Sequence, residues 1–187
     1  MMDASTDTIA PAADPAGESI IKRPPRAGEV LLITGARSLT STRDAAWWTW
    51  CQIASLLFGT RRPSRIITGD SPGAQALARS LAISARITLN VFRLDGTIGR
   101  PEGDGRWHEG EVPDDRYWPL QRSRAMIAEA LRAQEAGAPV RALMLDAPWT
   151  RSGGTAYAAD VARDAGLDMT YRECPLSLGP IARGGEA

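Results

Sequence analysis

Val30-Leu31-Leu32-Ile33-Thr34-Gly35-Ala36-Arg37-Ser38 is the stretch that decides the architecture. Four apolar residues and a threonine run without a charged break and stop at a glycine. A short continuous run of this kind suits a strand buried on both faces of a parallel sheet. Downstream, residues 42–58 carry helical spacing and end at Gly59. Arg65-Ile66-Ile67-Thr68 is a second strand, again halted by a glycine, Gly69. Residues 73–84 place Ala74, Leu77, Ala78, Leu81 and Ala82 on one helical face, and residues 88–94 form a third strand. The rhythm then breaks over 95–118, which holds five glycines, two prolines and His108, the only histidine. This segment reads as an irregular insertion, long enough for a lid or an interface loop. The alternation resumes with a helix over 119–137, Met126, Ile127, Ala130 and Leu131 facing inward, and a strand over 140–146. A helix over 153–165, closed by Gly166, and a strand over 167–172 complete the pattern.

Five strands alternating with four helices predict one α/β domain. Its sheet is doubly wound, mostly parallel and five-stranded, with helices on both faces and right-handed crossovers. The domain spans 28–174. Residues 1–27 lack hydrophobic periodicity and read as a disordered arm, and 175–187 read as a loose tail.

Composition narrows the chemistry. The 22 basic residues balance 22 acidic ones, and only one of the 22 is lysine, Lys22. A P-loop needs a lysine on its phosphates and a pyridoxal enzyme needs one for its Schiff base; Lys22, in a Pro/Ala-rich approach to the first strand, suits neither. One histidine and two distant cysteines, Cys51 and Cys174, cannot make a structural zinc site, so neither metal nor cofactor is expected. Zero net charge argues against a broad nucleic-acid or anionic-lipid footprint. No apolar run reaches the ~18–20 residues of a membrane span, and residues 1–17 contain no basic residue for a secretory signal. Distant free thiols fit a reducing cytoplasm.

In such a sheet the ligand crevice lies at the carboxyl ends of the strands. Three loops leave strands there with small, polar residues. They are Gly35-Ala36-Arg37-Ser38 after Thr34, Gly69-Asp70-Ser71-Pro72-Gly73 after Thr68, and Arg151-Ser152-Gly153-Gly154-Thr155 ahead of the fourth helix. Small residues let a phosphate approach the backbone, and helix N-termini offer free N–H groups. Gly-rich turns also arise for steric reasons alone, so the signal is their convergence on one edge. Arg37, Arg122, Arg124 and Arg151 lie in or beside the loops, where guanidinium could bind phosphate through its fork of donors. Asp70 and Asp146 follow their strands and could meet ribose hydroxyls, cap a loop or serve as catalytic carboxylates. No G-x-G-x-x-G follows the first strand, which disfavours an ordinary NAD dehydrogenase. His108 reads as a solvated loop residue, with a general base or a ligand contact as the alternatives.

Trp47-Trp48-Thr49-Trp50 places three indoles within four residues of one helix. Neighbouring residues point ~100° apart, so all three cannot face one core. The spacing predicts Trp47 and Trp50 inward with Ala54 and Leu57. Trp48 then projects toward a partner or a second layer, and an exposed Trp suits a homodimer interface.

Several of these stretches resemble motifs of the SLOG superfamily, in particular its YspA-like branch (the DUF2493 group). Leu32-Ile33-Thr34-Gly35-Ala36-Arg37-Ser38 is similar to the opening strand and loop. The stretch from Gly69 to Ala78 resembles the second motif, with Gln75 where the family often has Asp. Arg122-Ser123-Arg124-Ala125-Met126-Ile127 looks like its Arg-Asn-x-x-Met segment, with Ser123 for Asn. Ser152-Gly153-Gly154-Thr155-Ala156 resembles its glycine-threonine loop, one glycine short. The match runs from about 30 to 172.

The resemblance implies a Rossmann-like sheet that binds nucleotides or nucleotide-derived ligands, such as a nucleoside monophosphate or a molecule related to ADP-ribose or NAD. The superfamily includes LOG phosphoribohydrolases, nucleotide sensors and a single-strand DNA-binding branch. LOG enzymes carry a glutamate three residues after the loop threonine, and Ala158 stands there in this chain. The expectation is therefore a binding protein or sensor. The alternatives are an N-glycosidic hydrolase working through Asp70 or Asp146, and a dimeric interaction protein without turnover.

Overall fold

The computed structural model describes residues 28–93, 97–99, 108–109, 118–150 and 153–180. The expected N-terminal arm, Arg151, Ser152 and the side chain of His108 lie outside the described residues. Five parallel strands form the body of one sheet: β1 (Val30–Gly35), β2 (Arg65–Gly69), β3 (Thr88–Phe92), β6 (Val140–Asp146) and β7 (Met169–Glu173). Two short antiparallel strands, β4 (Thr97–Gly99) and β5 (His108–Glu109), extend it, giving the order β5-β4-β3-β2-β1-β6-β7. They lie inside the segment expected to be irregular. Ile98 pairs with Phe92 and covers β3, whose outer edge would otherwise present bare amides and carbonyls. Three residues, the last of them a glycine, are too few for alternation to reveal a strand.

Helices α1 (Arg43–Leu57) and α2 (Ala74–Ser84) cover one face, and α3 (Trp118–Glu135) and α4 (Gly154–Asp164) the other. Each face has its own core. Leu31, Ile33, Ile66 and Leu145 point toward α1 and α2, while Leu32, Ile67, Met144 and Phe92 point toward α3 and α4. Alternate residues of one strand thus feed opposite cores, which is why β1 is apolar throughout. The strand order reverses between β1 and β6, and Gly35 pairs with Leu145 at their carboxyl ends.

The tryptophans reverse the expected orientation. Trp47 is 64% exposed and Trp50 37%, whereas Trp48 packs against the core. The inward stripe of α1 is instead Ala45, Thr49, Ile53 and Leu57, spaced every fourth residue. Ala45 and Thr49 are small, so the helix can sit close to the sheet, and two indoles on that stripe would hold it away. Thr49 satisfies its hydroxyl by donating to Ala45 O at 2.8 Å.

The segment after Cys174, expected as a loose tail, docks over 175–180. Residues Leu176–Leu178 make a 3-10 turn. Thr42 caps α1 by accepting from Ala45 N, and its hydroxyl donates to Leu178 O at 2.5 Å. Gly179 lies on the Trp149 ring so closely that a Cβ there would sit 2.6 Å from it. Beyond 180 the tail is outside the described residues. No helix among the described residues is long and apolar enough to cross a membrane.

Candidate functional site

Two of the three expected loops meet and form one layer. At the end of β1, a Cβ on Gly35 would lie 2.5 Å from Leu145 O and 2.7 Å from the Ala74 side chain, so only glycine lets β6 and α2 close in. The chain continues to pair, with Ala36 N donating to Leu145 O at 2.8 Å, and then coils into a 3-10 turn over Arg37–Thr40. At the end of β2, Gly73 has φ +76°, and a Cβ there would sit 2.4 Å from Ala36 O and 2.5 Å from Arg37 O. The second loop therefore rests its backbone directly on the first.

Gln75 stitches the layer from beneath. Its buried amide accepts from Ser71 N at 3.1 Å and donates to Thr34 Oγ1 at 2.9 Å. An amide can do both, whereas the ionised aspartate of the resembling motif could only accept. Thr68 Oγ1, on the neighbouring strand, donates to Ile33 O at 2.9 Å.

Arg122 reaches this layer from the first turns of α3. It is only 8% exposed. Its Nη1 pairs with the Asp70 carboxylate, its Nη2 donates to Ser71 Oγ at 2.7 Å, and its buried Nε has no hydrogen-bond partner among the described residues. Ser38 Oγ is likewise buried and unpartnered among the described residues. Arg79, from α2, donates to Gly69 O and, at 3.3 Å, to Ser71 O.

Burial pushes the Arg122 guanidinium down from its ordinary pKa, and the charges of Arg37 and Arg79 add to this while Asp70 opposes it. Burial lowers Arg79 in the same way, again opposed by Asp70. Arg122 is thus repelled by two further cations, Arg37 and Arg79, and Asp70 opposes their effect. An anion placed there would relieve the repulsion and meet an open buried donor.

The third loop contributes less than expected among the described residues. Gly153 has φ +58°, heads α4 without a side-chain cap, and like Gly154 faces open space where a Cβ would stand. Thr155 is buried.

Other expected residues are drawn elsewhere. Positions 122 and 124 point ~200° apart on a helix. Arg124 accordingly turns to α4, where it donates to the Tyr157 hydroxyl and its guanidinium carbon lies 5.6 Å from that ring centre. Asp146 has both carboxylate oxygens in use: one accepts from Ala147 N at 2.9 Å, the other from the Tyr171 hydroxyl at 2.6 Å. Burial, that hydrogen bond and the Asp146 charge together push the Tyr171 phenol well above its ordinary pKa. Asp146 is a clasp between β6 and β7. Ala158, at the position of the LOG glutamate, is 1% exposed and packs in the core beneath α4. Asp160 is exposed and pairs with Arg163 at 2.6 Å.

Arg79 was missed by the reading of the sequence. It lies four residues after Gln75 on α2, and helical side chains lean toward the N-terminus, so that spacing could have placed it under the same loop.

A scan against protein-family models and a search of curated proteins find no match. Among solved structures the chain is similar to DNA processing protein A (DprA) from Streptococcus pneumoniae, with a TM-score of 0.38 and 14% sequence identity. That alignment covers 76% of this chain and 58% of the other, so the chain spans less than two thirds of that structure.

Proposed function

We propose that this chain is a SLOG-type protein that binds a nucleotide-derived ligand, its phosphate held by the loop layer at the ends of β1 and β2, and that it acts as a sensor or ligand-binding protein. The observation that carries this reading is the buried Arg122 guanidinium, paired with Asp70, with an Nε unpartnered among the described residues and the charges of Arg37 and Arg79 acting on it. Buried donors left open are expensive unless something occupies them, at roughly 1–3 kcal/mol each. A phosphate would supply acceptors and charge together, with the α2 N-terminus beside it. A ribose would fall within reach of Asp70, where resembling folds use an acidic residue.

Calorimetry with AMP and ADP-ribose tests the reading. Wild-type protein should bind at least one of them. Arg37→Ala, which alters an exposed side chain, and Gly153→Asp, which adds a negative charge at the head of α4, should each weaken binding. Arg122→Ala should weaken it most, by about 10–100-fold, the scale of a charge-assisted hydrogen bond. Absence of heat across a nucleotide panel would sink the proposal.

Hydrolysis is the weaker alternative. Asp70 is the carboxylate beside the arginines, ion-paired with Arg122, and glycosidic cleavage needs a carboxylate to steady an oxocarbenium-like centre. Release of free base that disappears in Asp70→Ala would establish turnover.

A further inference from the structure

The apolar surface of α1 is not absorbed by the ligand site. Trp47 and Trp50 stack on each other with ring centroids 5.1 Å apart and planes 6° from parallel, while remaining 64% and 37% exposed. They line an open groove between α1 and α2 together with Ala46, Leu77, Arg43 and Asp44. Phe58, eleven residues after Trp47, completes three turns and returns to the same side of the helix, where it too is exposed. Large rings left in water on one stripe mark a contact surface. The stack also fixes both indoles before any partner arrives, so little side-chain freedom remains to be lost on association.

We propose that this surface is the interface between two copies of the chain, related by a two-fold axis through the first turns of α1. Charge selects the partner. Arg43 and Asp44 are exposed, adjoin the Trp pair, and have no ion-pair partner among the described residues. An anionic or cationic macromolecule would meet one favourable and one unfavourable charge side by side. A two-fold operation turns that pattern into a match: Arg43 of one copy faces Asp44 of the other, and the reverse, while the two indole stacks pack between them. Depletion of net charge and enrichment of aromatic rings are the composition of an interface core.

Sedimentation equilibrium on the full chain over a range of concentrations tests the proposal. Wild-type protein should dimerise reversibly. Trp47→Ala with Trp50→Ala should raise the dissociation constant at least about tenfold, the effect of losing central aromatic anchors. Because both indoles are exposed, melting of the monomer should change little. Arg43→Asp and Asp44→Arg should each weaken the dimer by leaving like charges opposed, and the double exchange should restore the wild-type constant. A wild-type monomer at every concentration overturns the proposal. A dimer indifferent to the tryptophans overturns it too, and so does a double exchange no tighter than the single variants. None of these outcomes depends on whether a nucleotide binds at the loop layer.

Discussion

Gln75 joins two loops through an uncharged amide, and its worth can be measured. Gln75→Leu keeps the size but leaves Ser71 N–H and the Thr34 hydroxyl without their partner in a buried place. The expected loss is about 1–3 kcal/mol in urea denaturation, with the slope unchanged. The sequence marked position 75 only as a departure from a family pattern. Its role depends on Thr34, 41 residues away, and no local rule connects the two. Arg122 was legible because it stands next to a recognisable motif. Arg124 was not distinguishable from it until the helix phase was known, and one residue is burdened with the rim while the other stacks on a tyrosine.

At the scale of elements, the four helices and five parallel strands were legible from periodicity, and the bounds of α1 fall within a residue of expectation. The orientation of its tryptophans was not. Apolar character says which residues prefer burial, whereas space against a flat sheet decides which obtain it; small Ala45 and Thr49 fit there and the indoles do not. Helix ends offer a further test. The termini of α3 and α4 pass through glycines at φ +84° and +74°, but α2 ends through Arg86 at φ +53°. Around Arg86, Ile87 N donates to Ala82 O at 2.9 Å and Arg86 N to Ile83 O at 3.0 Å, the paired bonds of a Schellman turn. A left-handed arginine costs about 1 kcal/mol relative to glycine. Arg86→Gly should therefore stabilise the protein by about 0.5–1 kcal/mol and raise its melting temperature by a few degrees.

Across the whole molecule, the two cysteines should behave differently. Cys174 follows β7, is buried, and donates its N–H to Asp146 O at 2.9 Å; burial pushes its thiol above the ordinary pKa. Thiol labelling at Cys174 should be at least about a hundredfold slower than in unfolded chain, and should accelerate with sub-denaturing urea as the β6–β7 edge opens. Labelling as fast as in unfolded chain would mean that this edge does not hold. The fold was more legible than the site because strands and helices announce themselves within a dozen residues. The loop layer is assembled from positions 34, 38, 70, 75, 79 and 122, which only the topology brings together. That same topology has a consequence for biosynthesis. β1 lies between β2 and β6, so the most apolar strand of the sheet gains its second neighbour only when residues 140–146 have been made. Until then a nascent chain carries an open, unpaired edge on its central strand, the kind that recruits strands from other chains. The thread closes later still, when Leu178 reaches back to the threonine that begins α1. The interval from the making of β1 to the making of β6 is thus the one in which the nascent chain is open to aggregation.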